Sequence, residues 1–458
     1  MNLLIKNGTV INAGGSSAAD VAVDGGKIIS VGPDIEPGVQ TEVVDASGLL
    51  VLPGAVDVHT HFELDFGWAF RSADDFYNGT KAAACGGVTT VIDFVTPEKG
   101  ESLIEALDKR KALADPKVCI DYSLHMGLSE VNDKILDEMG DVITHGVPDF
   151  KIFTTYAFRL TDDEFIRTLT RAKELNSLVM IHAEDHEELE AKRVRFISEG
   201  KTDAWYHYLS RPEEVEAKSV KNVIELAKKT GATIYIVHLA CAEGLKAVEE
   251  AQRQGYPIYA ETCPQYLFLD EDLYLREDGL KYIMSPPLRP KINNELLWQG
   301  IEAGDVDVIG TDHCPFFYGK EKQRGKDDFT LAPGGAPGVE TRYALMYTYG
   351  VRTGKISLQR FVDLCCTKPA KLFGLYPKKG VLKTGNDADI TIWDTDKTVT
   401  ISKNILHENT DYTPYEGMEL TGFPVITISR GEVIVENGEI KARQGRGKFI
   451  KRGLPMLG

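Results

Sequence analysis

Histidines and a carboxylate follow several strand-like apolar runs of this sequence, in positions where they could bind a metal ion. His59 and His61 end one such run, and His182, His238 and Asp312 each follow another. Imidazole and carboxylate groups are ligands for zinc and for similar divalent ions. The pattern therefore predicts a metal site, provided that the fold brings the ends of these runs together.

A lysine lies in the middle of another strand-like run. Lys151 is flanked on both sides by apolar residues in the segment Asp149-Phe150-Lys151-Ile152-Phe153. Burial of an ammonium group is costly, so we expect its pKa to fall and a nucleophilic neutral amine to result. That amine could form a Schiff base with a carbonyl substrate. It could also take up carbon dioxide and bridge two metals as a carbamate, or simply pair with a neighbouring acid.

Other polar residues near these runs have less certain roles. Asp57 shares a strand face with His59 and His61, because alternate residues of a strand point the same way, and we interpret it as a supporting group. His125 also ends a strand-like run and competes for a role as ligand. Alternation turns His313 away from the face of its neighbour, Asp312, whose carboxylate can also exchange a proton with water.

The elements that must position these residues form a regular series. Strand-like runs recur at 56–61, 89–94, 119–126, 149–154, 178–184, 233–239, 257–263 and 306–312. Amphipathic helical patterns separate most of them. This α/β pattern is typical of a (β/α)8 TIM-type barrel, in which the ends of distant strands meet at one mouth. Spacing alone does not separate a barrel from a doubly wound sheet. The Gly-rich nucleotide fingerprint that would favour the latter is not found after the first strand.

Both ends of the chain have strand character. The first fifty residues resemble short antiparallel strands joined by polar turns, and strand patterns return after Pro377. We infer that the two ends meet as a small β-sandwich domain, formed by residues 1–53 and 376–458. Residues 54–375 then form the barrel. The tail from residue 443 to 458 has no chemistry that the sequence identifies.

Composition limits the class of protein. The 458 residues are 43% hydrophobic and 26% charged, which is ordinary for a globular protein. We find no apolar run of about 20 residues that could span a membrane and no signal peptide. A net charge of -17 argues against nucleic-acid or anionic-membrane partners. The seven cysteines are scattered without paired spacing, so we expect reduced thiols and a cytoplasmic location.

Several motifs resemble those of one known family, the cyclic amidohydrolases, and in particular its dihydropyrimidinase and hydantoinase branch. The motifs cover most of the chain, and together they are highly specific. They are Gly54-Ala55-Val56-Asp57-Val58-His59-Thr60-His61, the mid-barrel Lys151, Met284-Ser285-Pro286-Pro287-Leu288-Arg289, Gly310-Thr311-Asp312-His313-Cys314-Pro315 and Lys368-Pro369-Ala370-Lys371-Leu372-Phe373-Gly374.

The resemblance implies two zinc ions in each subunit. By position in the motifs, one zinc is held by His59, His61 and Asp312, and the other by His182 and His238. Lys151, as the carbamate formed with carbon dioxide, bridges the two ions. The resemblance removes His125 and His313 from the ligand set, and it implies a homo-oligomer, a tetramer.

The implied reaction is hydrolytic ring opening of dihydropyrimidines or 5-substituted hydantoins to N-carbamoyl amino acids, by a hydroxide that the two metals activate. In such an enzyme Asp312 transfers the proton and the Tyr156 hydroxyl stabilises the oxyanion. Backbone near Ser285 and Gly334 holds the amide groups of the substrate. Relatives usually carry Asn at the position of Gly334, whereas this chain has Pro333-Gly334-Gly335.

The loop after the first barrel strand bears on the choice of substrate. Dihydroorotase-like relatives place an arginine soon after the His-x-His motif, whereas the run from Phe62 to Trp68 is acidic and apolar, with no cation before Arg71. We therefore expect a neutral ring with an apolar substituent, in a pocket lined by Leu64, Phe66, Phe153 and Phe158. The alternatives are an allantoinase or dihydroorotase, or a non-catalytic assembly relative. Such assembly relatives lose metal ligands, but here all six matching residues are present.

Overall fold

The computed structural model describes residues 1–67 and 70–457. Its strands fall into a short N-terminal group, a long middle group and a C-terminal group. Within the described residues the strands are β1 (Leu3–Asn12), β2 (Gly15–Asp24), β3 (Lys27–Gly32), β4 (Glu42–Asp45), β5 (Leu50–Pro53), β6 (Ala55–Thr60), β7 (Val88–Val95), β8 (Asp121–Gly127), β9 (Asp149–Phe153), β10 (Leu178–His182), β11 (Thr233–Ile236), β12 (Ile258–Thr262), β13 (Val308–Ile309), β14 (Ile390–Thr400), β15 (Glu419–Ser429), β16 (Glu432–Glu436) and β17 (Glu439–Ile440).

Helices occupy most of the connections between the middle strands. The described α-helices are α1 (Phe76–Cys85), α2 (Leu103–Ala114), α3 (Asp133–Thr144), α4 (Asp162–Glu174), α5 (His186–Ser198), α6 (Ala204–Ser210), α7 (Glu213–Thr230), α8 (Ala242–Arg253), α9 (Gln265–Phe268), α10 (Lys291–Ala303), α11 (Arg342–Met346), α12 (Leu358–Val362) and α13 (Lys368–Leu372). The helical stretches after β13 also contain π-helical turns, at Tyr347–Val351 and Asp363–Thr367. None of the described helices combines the length and apolar character needed to cross a membrane.

The middle strands form a parallel barrel. Strands β6 to β13 pair in sequence order as one 8-stranded sheet, and a bridge between Thr60 and His313 joins its first strand to the segment after its last. Strands such as β6, β7 and β8 are buried along their whole length, as expected when helices cover one face and the barrel interior the other. The predicted (β/α)8 barrel is confirmed, and the doubly wound alternative is wrong.

The strands of both chain ends form a second sheet. It has nine strands, and antiparallel pairing of β5 with β14 joins the N-terminal part to the C-terminal part. A β-domain made from both ends is therefore confirmed, while its boundaries at residues 53–54 and 375–376 stay predictions. The expectation that all the N-terminal strands are antiparallel is wrong, because β4 and β5 run parallel to β1. The segment between β3 and β4 returns the chain to the end of the sheet where β1 starts, so β4 runs in the same direction as β1. The alternation of polar and apolar residues within a strand does not indicate such a return.

The C-terminal tail packs on the bottom of the barrel. Ile450 and Phe373 join a buried apolar cluster with barrel residues such as Met180 and Tyr235. Arg452 is buried beside them and forms an ion pair with Asp149, at the start of β9. Although the sequence suggested no chemistry for this tail, its residues close the end of the barrel opposite to the predicted site.

The ion pair of Arg452 with Asp149 leads to a prediction about stability. We expect Arg452→Leu to lower the free energy of unfolding by about 3–5 kcal/mol, because the substitution leaves a buried carboxylate without its cation. Guanidinium denaturation followed by circular dichroism measures the effect. Arg443→Leu, at an exposed position of the same tail, is the control and should change little. Equal stability of the two variants would show that the pair contributes nothing.

Candidate active site

One group of predicted ligands meets where the first and last barrel strands adjoin. Strand β6 carries His59 and leads into His61, and Asp312 follows β13. The Nε2 atoms of His59 and His61 lie 3.2 and 3.1 Å from the same oxygen, Oδ1 of Asp312. The three ligand atoms are all within 4.8 Å of one another, a spacing suited to one metal ion.

The second group lies beside the first. His182 ends β10 and His238 follows β11, and Nδ1 of His182 is 2.9 Å from Nε2 of His238. The rings of His238 and His59 are stacked, with centroids 5.5 Å apart, so the two groups adjoin. Burial lowers the pKa of all three histidines, which favours the neutral imidazole that binds metals.

Lys151 extends from β9 into the same region. Its side chain is 2% exposed, and within the described residues Nζ has no hydrogen-bond partner. Nζ lies 5.6 Å from the ring centroid of Phe94 and 5.2 Å from that of Phe153. Burial lowers the pKa of Lys151 to about 7, so a large share of the amine is neutral near pH 7. The alternative of a lysine bonded to a neighbouring acid is wrong.

A buried carboxylate that the sequence analysis missed connects the two groups. Oε1 of Glu261 lies 2.7 Å from Nδ1 of His59 and accepts a hydrogen bond of 2.9 Å from the backbone N–H of His238. Its other oxygen accepts a bond of 3.0 Å from the Tyr235 hydroxyl. The sequence does contain a signal for Glu261, because it is an acidic residue inside the otherwise strand-like run at 257–263.

His182 has its own supporting carboxylate. Nε2 of His182 lies 2.8 Å from Oε2 of Glu184, and Arg211 donates to the same oxygen at 2.5 Å. Burial alone would raise the pKa of Glu184, but Arg211 and His182 hold it at about 2. Glu184 therefore stays ionised and orients the imidazole, as outer carboxylates do for metal-bound histidines. Neither Glu184 nor Arg211 was among the residues predicted from the sequence.

The remaining polar candidates have structural partners. Asp57 accepts hydrogen bonds from the backbone N–H of His59 and from the Thr311 hydroxyl, in agreement with a supporting role. His125 bonds through one ring nitrogen to Asp149 and through the other to a backbone carbonyl. His313 bonds to Asp74 and to two backbone N–H groups. Neither histidine has a ring nitrogen available for a metal.

Three residues of the site have strained backbone. Tyr156, His238 and Asp312 lie in the left-handed region, with φ of 74°, 37° and 53°. This conformation costs about 1–3 kcal/mol for a residue other than glycine, and such strain is concentrated at functional sites. At each of these three positions, the strained backbone belongs to a residue whose side chain lines the candidate site.

A single cavity of about 740 Å³ connects the predicted residues. It is open to solvent at the C-terminal face of the barrel, where enzymes of this fold keep their chemistry. It is lined by every residue that the resemblance implies as a ligand, an oxyanion stabiliser or an amide contact, and by the four apolar residues expected around the substituent: His59, His61, Leu64, Phe66, Lys151, Phe153, Tyr156, Phe158, His182, His238, Ser285, Asp312 and Gly334.

Tyr156 and Ser285 present hydrogen-bonding groups to this cavity. Burial raises the pKa of Tyr156, although Arg211 and a hydrogen bond with Ser285 oppose the rise, so the phenol stays a donor at neutral pH. Within the described residues, the backbone N–H and C=O of Ser285 have no hydrogen-bond partner. A Cβ atom at Gly334 would lie 3.3 Å from the Ser285 hydroxyl, so this hydroxyl would have to shift by a few tenths of an ångström to admit a side chain there.

Charged residues near the cavity refine the expectation about substrate charge. Arg71, the first cation after the His-x-His motif, bonds to Glu63 at 2.6 Å and does not line the cavity. Trp68, in the same loop, lies outside the described residues. However, arginines from other parts of the chain do line the cavity, and they are Arg159, Arg193, Arg211 and Arg324. The first loop alone therefore does not determine whether an anionic substituent is tolerated.

Comparison with known proteins agrees with this geometry. Residues 50–434 match the Amidohydrolase family. The chain belongs to this family. It is 45% identical over 454 residues to the D-phenylhydantoinase of Escherichia coli O1:K1 / APEC, a match that covers 99% of this chain and 98% of that protein. The predicted resemblance to the dihydropyrimidinase and hydantoinase branch is confirmed. The family is one of metal-dependent enzymes, and the cavity carries groups of residues suited to a metal.

Solved structures of related enzymes superpose closely. The dihydropyrimidinase from Brevibacillus agri NCHU1002 has a TM-score of 0.98 and 41% identity, over 99% of both chains. The L-hydantoinase (dihydropyrimidinase) from Arthrobacter aurescens has a TM-score of 0.91 and 30% identity, over 98% of this chain and 100% of that one. The related D-phenylhydantoinase and this L-hydantoinase are named for opposite enantiomers, and both resemble this chain over nearly its whole length.

Proposed function

We propose that this amidohydrolase opens cyclic amides, dihydropyrimidines or 5-substituted hydantoins, by hydrolysis to N-carbamoyl amino acids. The observation that carries the proposal is the convergence of four histidines, one lysine and one aspartate on a single cavity, whose aromatic residues suit an apolar substituent. The names of the related enzymes, D-phenylhydantoinase and dihydropyrimidinase, support the same class of substrate.

We further propose a pair of zinc ions in the cavity. His59, His61 and Asp312 hold one, and His182 and His238 hold the other. Ligand atoms bound at about 2.0–2.1 Å around a tetrahedral zinc lie roughly 3.3 Å apart. The separations of 3.2, 3.1 and 2.9 Å between the ligand atoms here are close to that value. The donor set therefore fits the metal that the family implies.

Lys151 is proposed to complete the site as a carbamate. Its neutral amine nitrogen would bond to the carbon of carbon dioxide and lose a proton, and the resulting carbamate would serve as a shared ligand of the metal pair. The pKa of about 7 and the absence of any hydrogen-bond partner among the described residues both favour this reaction. Conversion to an anion also supplies negative charge to a proposed ligand set that would otherwise hold two dications with one carboxylate.

The side chains of the cavity then carry the reaction. When bound, the metals supply Lewis-acid polarisation of a carbonyl and lower the pKa of a water molecule. As the water oxygen bonds to the carbonyl carbon, the Asp312 carboxylate accepts its proton, and Asp312 returns the proton to the ring nitrogen when the C–N bond breaks. The Tyr156 phenol donates a hydrogen bond to the developing oxyanion.

Substrate assays test the proposal. Dihydrouracil, benzylhydantoin, allantoin and dihydroorotate should be compared, with and without chelator treatment and zinc restoration. We expect hydrolysis of dihydrouracil or benzylhydantoin, lost on chelation and regained with metal. Activity on allantoin or dihydroorotate alone would overturn the substrate class in favour of those amidases. A protein with no bound metal and no activity on any of the four compounds would support the non-catalytic alternative.

Glu261 leads to a prediction about metal affinity. We expect Glu261→Gln to weaken zinc binding about 10- to 100-fold, because outer carboxylates orient the ligating imidazole and increase its basicity. Competition with a chromogenic chelator measures the affinity. Glu250→Gln, at an exposed position on α8, is the control. Unchanged affinity in the Glu261 variant would contradict its role as the support of both histidine groups.

Two further expectations stay predictions. A homotetramer is implied by the resemblance, and light scattering coupled to size-exclusion chromatography measures the subunit number.

All seven cysteines are free thiols, as expected for the proposed cytoplasmic location. Fractionation of the source cells would test that location directly.

A further inference from the structure

Two backbone segments, residues 283–286 and 333–335, form one wall of the cavity. Ser285 lines the cavity from the first segment and Gly334 from the second. The N–H of Gly335 donates a hydrogen bond of 3.0 Å to the carbonyl of Ile283, which joins the two segments. The direction of the free backbone groups of Ser285 therefore depends on how firmly this pair of segments is held.

The side chain of Lys322 lies behind this wall. It is 0% exposed and is not among the residues that line the cavity. Its Nζ donates hydrogen bonds of 2.6 Å to the carbonyl of Ile283, 2.9 Å to that of Pro333 and 2.7 Å to that of Gly335. Burial lowers the pKa of Lys322 to about 7, and in the ammonium form all three of its protons are bound by the two segments.

A buried lysine at this position indicates a role beyond packing. An ammonium group buried without a carboxylate partner is costly, and an apolar side chain of similar length would fill the space without that cost. A neutral amine carries only two hydrogens, so the charged form alone satisfies three carbonyl oxygens at once. Lys322 thus joins carbonyls from both segments at a single point, which packing alone does not require.

Other side chains hold the first segment on either side of Ser285. His207 bonds to the carbonyl of Met284 at 2.8 Å, and the Tyr266 hydroxyl donates to that of Pro286 at 2.8 Å. These bonds fix the first segment, but neither one reaches residues 333–335. Among the described residues, Lys322 is the side chain that donates hydrogen bonds to carbonyls of both segments.

We propose that Lys322 is a positioning residue for substrate binding, which clamps the two segments so that the backbone groups at Ser285 and Gly334 face the ring amides of the substrate. The inference rests on the proposed function of the cavity. Because Lys322 does not touch the metal ligands, its removal affects the binding of the ring and not the loading of the metal.

Kinetics of the holoenzyme variants test the clamp. We expect Lys322→Met to lower kcat/KM for benzylhydantoin or dihydrouracil roughly 10- to 100-fold, mainly by raising KM, because small displacements of positioning groups have effects of this size. Metal content and kcat should stay near those of the parent. Lys322→Gln, which keeps two donors, should give an intermediate KM. Lys326→Met, at an exposed position nearby, is the control.

A second measurement keeps the inference testable if the methionine variant does not fold. Hydrogen–deuterium exchange of the zinc-loaded glutamine variant should be faster than in the parent at residues 283–286 and 333–335 only. Unchanged KM in a folded Lys322 variant, a loss of bound metal, or unchanged exchange in both segments would overturn the clamp. A parent enzyme that hydrolyses no cyclic amide would overturn the proposed function instead, and the exchange comparison would still test the clamp.

Discussion

Substitution of Lys151 by alanine is expected to remove the metal pair and to reduce the hydrolysis of cyclic amides to the limit of detection. The alanine side chain cannot form a carbamate, so the group proposed to bridge the two ions is lost. Four imidazoles and one carboxylate then face two dications, and mutual repulsion of the ions disfavours double loading. Metal analysis by mass spectrometry and hydantoin hydrolysis, measured on the same preparation, check both parts of the prediction.

Two controls separate the carbamate from a general effect of the substitution. Lys229→Ala, at an exposed position near the end of α7, should keep normal metal content and activity. Reconstitution of the metal-free parent in buffer without carbon dioxide should be slow, and bicarbonate should accelerate it. A short carboxylate such as propionate should partly restore metal binding in Lys151→Ala. Normal metal content in that variant would eliminate the carbamate bridge.

Local periodicity located the parallel strands and the candidate ligands at their ends, while the family resemblance favoured a barrel and selected among those candidates. Buried strands of a parallel barrel are apolar on both faces, so their ends are easily found, and the residues that follow them necessarily lie at one mouth. His182 illustrates this, because it ends β10 as predicted and lies in the cavity. Backbone geometry therefore determines much of the candidate site before any side-chain contact is known.

Contacts between distant segments were not predictable in this way. Glu261 lies 202 residues from His59, and nothing in the apolar run around it indicates which side chain it meets. The same applies to Arg452, which pairs with Asp149 across 303 residues. The parallel direction of β4 and β5 also depends on where the chain re-enters the sheet. Each missed feature is a long-range pairing, which period and composition do not encode.

Substitution of Asp312 is also expected to have a large effect on activity. Asp312 has two proposed roles, as a metal ligand and as the group that transfers the proton. An asparagine keeps an oxygen that can bind a metal but has no basic carboxylate. We therefore expect Asp312→Asn to keep much of its metal and to lose about 10²- to 10⁴-fold in kcat, the usual contribution of general acid–base catalysis. Asp312→Ala should lose metal as well, because it removes the oxygen that lies within 3.2 Å of both His59 and His61.

The comparison of these two variants separates the roles, provided that kcat, KM and metal content are measured together. Asp327→Asn, at an exposed position, controls for the loss of one negative charge. A metal-loaded asparagine variant with kcat close to that of the parent would assign proton transfer to another group. His59 and His61 hold the pKa of Asp312 below the usual range although burial alone would raise it, so the carboxylate is ionised at neutral pH and can accept a proton. The strained backbone of Asp312, with φ of 53°, then has a direct reason, since it turns one carboxylate toward both imidazoles.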